Sequence, residues 1–129
     1  MFAESHSSGK HMICDIRDIT NTSLLNNVEE LKKMLKQICK KYDYSILGEL
    51  NHVFTPQGCT ILYLLSESHL SIHTFPEKKY LAFDLYTCRH YEDDSDYIKI
   101  YESLIHQLQA STESSYTILN RTFIHFFTK

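Results

Sequence analysis

The sequence is poor in the residues that interrupt regular structure. Its 129 residues include three glycines and two prolines, which excludes collagen-like, linker and low-complexity chains and leaves few places for sharp turns. No internal repeat is visible. With 43% hydrophobic and 22% charged residues, a chain of this length lies within the range of one domain with one core. We therefore predict a single domain over residues 1–129.

Long apolar runs, an export signal and an excess of positive charge are also missing. The apolar run from Cys59 to Leu65 is far shorter than the roughly 20 residues of a membrane span, and residues 1–10 lack the apolar stretch of a signal peptide. The 13 Lys and Arg residues stand against 16 Asp and Glu residues, which gives no electrostatic reason to expect a nucleic-acid partner. We expect a cytoplasmic protein that binds neither membrane nor nucleic acid.

The four cysteines contain no C-x-x-C pair; they are Cys14, Cys39, Cys59 and Cys88. Without such a pair or an export signal, free thiols in a reducing compartment are favoured over a disulfide framework. Any one of these thiols is then available for chemistry.

The hydrophobic pattern predicts an α+β fold. Alternation and β-rich composition predict strands over residues 11–16, 44–54, 60–65, 70–75, 80–87 and 116–127. Apolar stripes of helical period predict helices over residues 24–41 and 95–108, the second with Ser95 as its N-cap. This order describes a two-layer sandwich, a mainly antiparallel sheet with helices packed on one face. Because Ile61 and Leu62 are apolar on opposite faces, the face that the helices leave open favours dimerisation.

One part of the chain crowds reactive side chains into apolar strands. Residues 66–77 read Ser-Glu-Ser-His-Leu-Ser-Ile-His-Thr-Phe-Pro-Glu, and residues 83–88 read Phe-Asp-Leu-Tyr-Thr-Cys. Burying such groups unpaired costs about 1–3 kcal/mol each, so the protein has either partnered them or uses them.

Taken singly, these groups favour ordinary structural roles. His69, His73 and Glu77 are ligand types, but no third His or Cys stands at the tight spacing of a metal site, so we predict no metal. Cys88 fits a core position, and Ser68 lacks the flanking glycines of a hydrolase nucleophile.

Taken together, the two segments resemble the processing site of the small bacterial and archaeal S-adenosylmethionine decarboxylases, which are pyruvoyl enzymes made as self-cleaving proenzymes. Those enzymes carry Glu-Ser-His-hydrophobic-x-Ile-His-Thr-Trp-Pro-Glu and then, at a fixed distance, Asp-x-Phe/Tyr-Thr-Cys. Residues 67–77 and 84–88 match these elements. The resemblance extends weakly upstream, to Phe54, Pro56, Gly58, Thr60 and residues 9–11, and it fades after Cys88.

The resemblance implies self-cleavage between Glu67 and Ser68. The Ser68 hydroxyl attacks the carbonyl of Glu67, and loss of the α-proton of residue 68, a step assigned to His73, releases the upstream chain and leaves a pyruvoyl ketone. Thr60 stands where most relatives have a serine that is implicated in processing. The implied products are a β chain of residues 1–67 and an α chain of residues 68–129.

For turnover, the resemblance implies a pyruvoyl-dependent carboxy-lyase that serves spermidine and other polyamine biosynthesis. The amine of S-adenosylmethionine forms a Schiff base with the ketone derived from Ser68, carbon dioxide departs, and Cys88 protonates the former α-carbon. Protonation on the pyruvoyl side would instead transaminate and inactivate the enzyme. Phe54 would stack on adenine, Glu77 would bind the ribose hydroxyls, and no added cofactor is required.

Strand geometry adds a constraint on this site. Ser68 and His73 are five residues apart, so on one regular strand they point to opposite faces and lie about 16 Å from each other. Either the strand is bulged or the histidine comes from a second subunit. Relatives form dimers with composite sites, which implies Ser68 and Cys88 from one protomer and Thr60 and His73 from its partner.

Departures from the family pattern leave the substrate open. Phe75 replaces the family tryptophan, Arg89 replaces the glycine usual after the cysteine, and residues 78–79 are both lysine. Relatives have diverged to act on basic amino acids, so a pyruvoyl-dependent arginine or ornithine decarboxylase is one alternative. An unprocessed regulatory homologue is the other. The retained Glu77 favours the nucleoside substrate, and the intact cleavage site argues against the regulator.

Overall fold

A computed structural model describes residues 7–122 and gives six strands and two helices in the predicted order. They are β1 (Ser7–Ile16), α1 (Val28–Lys41), β2 (Ile46–Val53), β3 (Cys59–Leu65), β4 (Ser68–Phe75), β5 (Tyr80–Thr87), α2 (Ser95–Leu108) and β6 (Ser115–Thr122). Short 3-10 turns occur at Leu24–Asn26 and Pro76–Lys78. The part of the predicted last strand after Thr122 lies outside the described residues.

The strands form one six-stranded sheet with the order β2-β3-β4-β5-β1-β6. Every ladder is antiparallel. The first strand lies between two strands from the second half of the chain, because β1 pairs with both β5 and β6. With both helices contributing buried apolar residues to one core, the predicted α+β sandwich is confirmed.

The core lies between the helices and one face of the sheet, which we call the covered face. Alternate strand residues point into it, as the burial pattern of β3 and β5 shows. Its buried apolar side chains include Met12, Cys14, Ile16, Ile61, Tyr63, Leu65, Leu70, Ile72, Leu81, Phe83 and Leu85 from the sheet, and Leu31, Leu35, Ile100 and Leu104 from the helices. Full burial of each large apolar side chain contributes about 1.5–3 kcal/mol.

The helix starts differ slightly from the predicted ones. The stretch predicted as one helix from residue 24 begins with a 3-10 turn, and α1 proper starts after Asn27, whose side chain accepts a hydrogen bond from the Glu30 amide at 3.1 Å. An N-cap side chain that satisfies a free amide in this way defines the helix start. At α2, Asp94 occupies the N-cap position and the predicted cap, Ser95, is the first helical residue. No helix in the described part of the chain has the length and apolarity to cross a membrane.

The other face of the sheet, which we call the open face, has no helix over it and exposes large apolar side chains. Leu50, Leu62 and Leu64 retain 71%, 41% and 58% of their accessible surface. Ile13 and Leu119 are also exposed on β1 and β6, at the other side of this face, and the polar residues Ser71 and Asp84 of β4 and β5 lie between the two apolar areas. Exposed apolar side chains grouped on a sheet face are typical of an interaction site.

Candidate active site

The predicted cleavage site lies in the tight turn of the β3–β4 hairpin. Leu65 pairs with Ser68, so Ser66 and Glu67 alone form the connection. Glu67 has a φ of 59°, in the left-handed region. A non-glycine residue in that region is disfavoured by roughly 1–2 kcal/mol, because its Cβ crowds the following carbonyl oxygen. The peptide bond between Glu67 and Ser68 therefore follows a residue that the hairpin holds in an unfavourable conformation.

Strand pairing brings Ser68 next to Cys88. Ser68 lies opposite Thr87 in the β4–β5 ladder, so Cys88 follows directly. The backbone amide of Cys88 donates a hydrogen bond to the Ser68 Oγ at 3.3 Å, and both residues are partly buried. They open into a cleft of about 530 Å³. Its lining residues are Asp43, Ser45, Ser66, Glu67, Ser68, Cys88, Arg89 and His90.

Arg89 fixes the wall of this cleft next to Cys88. Its guanidinium donates hydrogen bonds to the carbonyl oxygens of Tyr42 at 2.5 Å and Asp43 at 2.7 Å, and it lies 4.7 Å from the ring centroid of Tyr44. Burial and a hydrogen bond with Tyr91 raise the pKa of Tyr44, so the ring beneath the cation stays neutral. Arg89 thus ties the segment after β5 to the end of α1. The sequence revealed the departure from glycine but not these partners.

The predicted residues Thr60 and His73 form a second group. They lie directly opposite each other on β3 and β4, and Thr60 Oγ1 is hydrogen-bonded to His73 Nδ1 at 2.8 Å. They share a cleft of about 270 Å³ with the predicted substrate-binding residues Phe54 and Glu77. A hydroxyl hydrogen-bonded to Nδ1 fixes the ring orientation, so Thr60 directs the imidazole that it touches.

The predicted site residues therefore divide between two clefts. Glu67, Ser68 and Cys88 line the first, while Phe54, Thr60, His73 and Glu77 line the second. The β4 strand pairs with β3 and β5 without a register shift. Of the two alternatives that the sequence left open, a bulge that would bring His73 to Ser68 is therefore excluded.

One group of side chains has the composition of a metal site. His11, His69 and Asp84 each offer a ligand atom, and these atoms lie within 4.8 Å of one another on the open face. His11 Nε2 and Asp84 Oδ1 are in direct contact, so these two groups already satisfy each other. This is not the set considered from the sequence, because His73 and Glu77 lie in the second cleft. No spacing in the sequence indicates this group, since His11 and Asp84 are brought together by the β1–β5 ladder.

Comparison with known proteins places the chain in a family. Residues 10–122 match the S-adenosylmethionine decarboxylase family. The S-adenosylmethionine decarboxylase proenzyme of Symbiobacterium thermophilum is 39% identical over 94 residues, which are 70% of this chain and 70% of that protein. The proenzyme of the same name from Brevibacillus brevis is 42% identical over 85 residues, which are 66% of this chain and 63% of that protein.

A solved structure shares the fold. The crystal structure of the adenosylmethionine decarboxylase from Aquifex aeolicus matches with a TM-score of 0.79 at 24% identity, covering 97% of this chain and 99% of that one. The family match spans almost all of the described residues. The chain belongs to the S-adenosylmethionine decarboxylase family.

Proposed function

We propose that this chain is the proenzyme of a pyruvoyl-dependent S-adenosylmethionine decarboxylase that cleaves itself between Glu67 and Ser68. The precursor is a single domain of residues 1–129, and its products are residues 1–67 and 68–129. The observation that carries the proposal is the Ser68 hydroxyl, which lies beside Cys88 in one cleft and directly after the left-handed Glu67. Such an enzyme supplies the aminopropyl donor for spermidine synthesis, and its cytoplasmic location stays a prediction.

Cleavage begins with the Ser68 oxygen. Ser68 Oγ bonds to the carbonyl carbon of Glu67 and the peptide C–N bond breaks, which converts the amide into an ester. Loss of the α-proton of residue 68 to His73 expels the Glu67 carboxylate, and hydrolysis of the resulting enamine releases ammonia and leaves a ketone. The φ of 59° at Glu67 supports this step, because breaking the amide frees a strained residue.

In turnover, the ketone at residue 68 supplies an electron sink for the charge left when carbon dioxide departs. Cys88 is the acid that donates a proton to the former α-carbon of the substrate. A thiol suits this step, because its S–H is a proton donor and Cys88 lies beside the reacting residue. Phe54 offers an aromatic face to adenine, and the Glu77 carboxylate accepts hydrogen bonds from the ribose hydroxyls and complements the sulfonium charge. These two residues share one cleft with His73.

The working enzyme is a homodimer whose interface includes the open face around His73 and reaches the β3–β4 turn of the partner, where the peptide bond before Ser68 lies. His73 is exposed on the face that also presents Leu62 and Leu64, so an apolar contact there would carry His73 into the partner. Burial of such side chains contributes about 25 cal/mol per Å², which favours association through this face. Each site then takes Ser68 and Cys88 from one protomer and Thr60 and His73 from the other.

Fresh and aged protein, analysed by mass spectrometry, tests the cleavage directly. The chain should give two fragments, the second blocked to N-terminal sequencing and trapped by borohydride with substrate. Ser68→Ala should block both cleavage and activity, whereas His73→Ala should stall near the ester. Cys88→Ala should cleave but decarboxylate poorly. A single unbroken chain that traps nothing would refute the proposal and favour the regulatory homologue.

Two inactive variants test the shared site. When Ser68→Ala and His73→Ala chains are co-expressed, the mixed dimer contains one Ser68 facing one His73 across the interface. We expect cleavage of the His73→Ala chain and recovery of part of the activity. If each site were built within a single protomer, the mixture would remain uncleaved.

The substrate is tested by competition. Release of labelled carbon dioxide from S-adenosylmethionine, unaffected by excess arginine or ornithine, is expected. Release from arginine or ornithine alone would overturn the nucleoside assignment and leave the pyruvoyl chemistry standing. Glu77→Gln should raise KM more than it lowers kcat, because the carboxylate touches the ribose and not the reacting carbon.

A further inference from the structure

Tyr86 makes a contact with the thiol of Cys88 that the family motif does not require. Its hydroxyl oxygen lies 3.3 Å from the Cys88 sulfur. The two residues are two positions apart at the end of β5, a spacing that directs side chains to the same side of a strand. The corresponding motif position accepts phenylalanine or tyrosine, so the motif does not require the hydroxyl.

The ring of Tyr86 is held from several sides. Its centroid lies 5.9 Å from that of His11 and 5.7 Å from that of His69, and the guanidinium carbon of Arg121 lies 5.5 Å from it. His11 is itself in contact with Asp84. Packing of this kind restricts the ring and therefore fixes where its hydroxyl lies relative to the sulfur.

We propose that Tyr86 is a positioning residue for the proton transfer by Cys88, and that its hydroxyl donates a hydrogen bond to the sulfur. This inference rests on the proposed function. With the phenol as donor, the sulfur is an acceptor and its own S–H remains free to point at the substrate. When that proton passes to the former α-carbon, the sulfur becomes a thiolate and Tyr86 keeps its own proton.

The hydrogen bond becomes stronger during this step. A neutral thiol is a weak acceptor, whereas a bond to an ionised acceptor is about twice as strong as a neutral one. The contact therefore stabilises the thiolate more than the thiol and speeds proton donation to the correct carbon. Without the hydrogen bond, proton donation to the substrate carbon is slower, so protonation of the pyruvoyl carbon competes more often. Each protonation there replaces the enzyme's ketone by an amine and inactivates it.

Tyr86→Phe removes only the hydroxyl and tests the inference. We expect normal self-cleavage, a kcat lowered by roughly tenfold with little change in KM, and a similar drop in the number of turnovers before inactivation. Mass spectrometry should find the inactivated second fragment with alanine in place of the pyruvoyl group. In a Cys88→Ser background the same change should have no further effect on kcat, because Tyr86 acts through the thiol.

A matched control and a second measurement separate this role from a structural one. Tyr116→Phe removes the hydroxyl of a half-exposed tyrosine on β6 and should leave every readout unchanged. In uncleaved Ser68→Ala protein, the pH profile of Cys88 alkylation should shift to higher pH when Tyr86 is replaced by Phe, which is measurable without any activity.

The outcomes are distinguishable. Wild-type kcat and turnover number in Tyr86→Phe, or an unchanged alkylation profile, would overturn this inference while leaving the decarboxylase assignment intact. A wild-type chain that neither cleaves nor decarboxylates would overturn both. If Tyr86→Phe lowers activity by the same factor in the wild-type and Cys88→Ser backgrounds, Tyr86 has a structural role and the inference is rejected.

Discussion

Gly9 gives a sharp test of how tightly β1 is inserted between its neighbours. Gly9 has a φ of 127°, and a Cβ at this position would lie 2.0 Å from the backbone oxygen of Thr87 and 3.0 Å from the Cα of Cys88. Both atoms belong to the backbone of the adjacent strand end, so no side chain can rotate away. Gly9→Ala therefore requires the two strands to separate.

The expected cost has two parts. A side chain at this φ costs about 1–2 kcal/mol, and overpacking against a fixed neighbour adds about 1–3 kcal/mol. A loss of about 3 kcal/mol, with an m value of about 1.5 kcal/mol per M, lowers the urea midpoint by about 2 M. The measurement is urea unfolding followed by circular dichroism, at one protein concentration and in Ser68→Ala protein, so that an unbroken chain unfolds.

Gly48 supplies the matched control on β2. A Cβ there would lie 3.8 Å from the Cβ of Leu64, which is an ordinary contact, and its φ is not positive. Gly48→Ala should be neutral or stabilising by up to about 1 kcal/mol, since alanine loses less chain entropy on folding. If both variants unfold within about 0.5 M urea of each other, the reasoning about Gly9 is wrong.

Three further predictions concern the turn, the core and the thiols. Glu67→Gly, which adopts a positive φ without strain, should slow self-cleavage roughly fivefold or more, measured as the rate of fragment appearance on gels. Tyr63→Phe should raise the free energy of unfolding by about 1–2 kcal/mol in urea melts, because among the described residues its hydroxyl is buried without a hydrogen-bond partner. At pH 8, the partly exposed Cys88 should react with a disulfide reagent well before the buried Cys14 and Cys39. Burial raises the pKa of Cys14 to about 12 and that of Cys39 to about 11, so few of these thiols are ionised. Equal reaction rates in the folded protein would contradict this.

The sequence predicted the layers of the fold because local pattern determines them. Alternation predicts that Ile61, Tyr63 and Leu65 share one face of β3, and these residues are buried. Which of the two apolar faces the helices cover did not follow from the pattern. The position of β1 was not predictable in this way. It depends on pairings such as Lys10 with Thr87, which are far apart in the chain, and period-two patterns do not identify the partner strand.

The candidate site was predictable where it follows from spacing. The odd separation of Ser68 and His73 predicted opposite faces, and the unshifted ladders of β4 agree. The partners of Arg89 were not predictable, because they are backbone carbonyls that every residue carries. The left-handed conformation of Glu67 was not predictable either, because the two-residue turn imposes a positive φ on a residue that is not glycine. The catalytic and processing roles of these residues remain predictions.

The strand order determines how the molecule would respond to the proposed break in its backbone. A cut after Glu67 would leave β1, α1, β2 and β3 in one piece and β4, β5, α2 and β6 in the other. Because β1 is hydrogen-bonded to β5 on one side and β6 on the other, a strand of the first piece lies between two strands of the second. Separating them would require three antiparallel ladders, β3–β4, β1–β5 and β1–β6, to come apart at once. The cleaved protein should therefore remain a single folded particle in solution. A cut at the tip of the β3–β4 hairpin breaks one peptide bond and leaves all the ladders of the sheet in place.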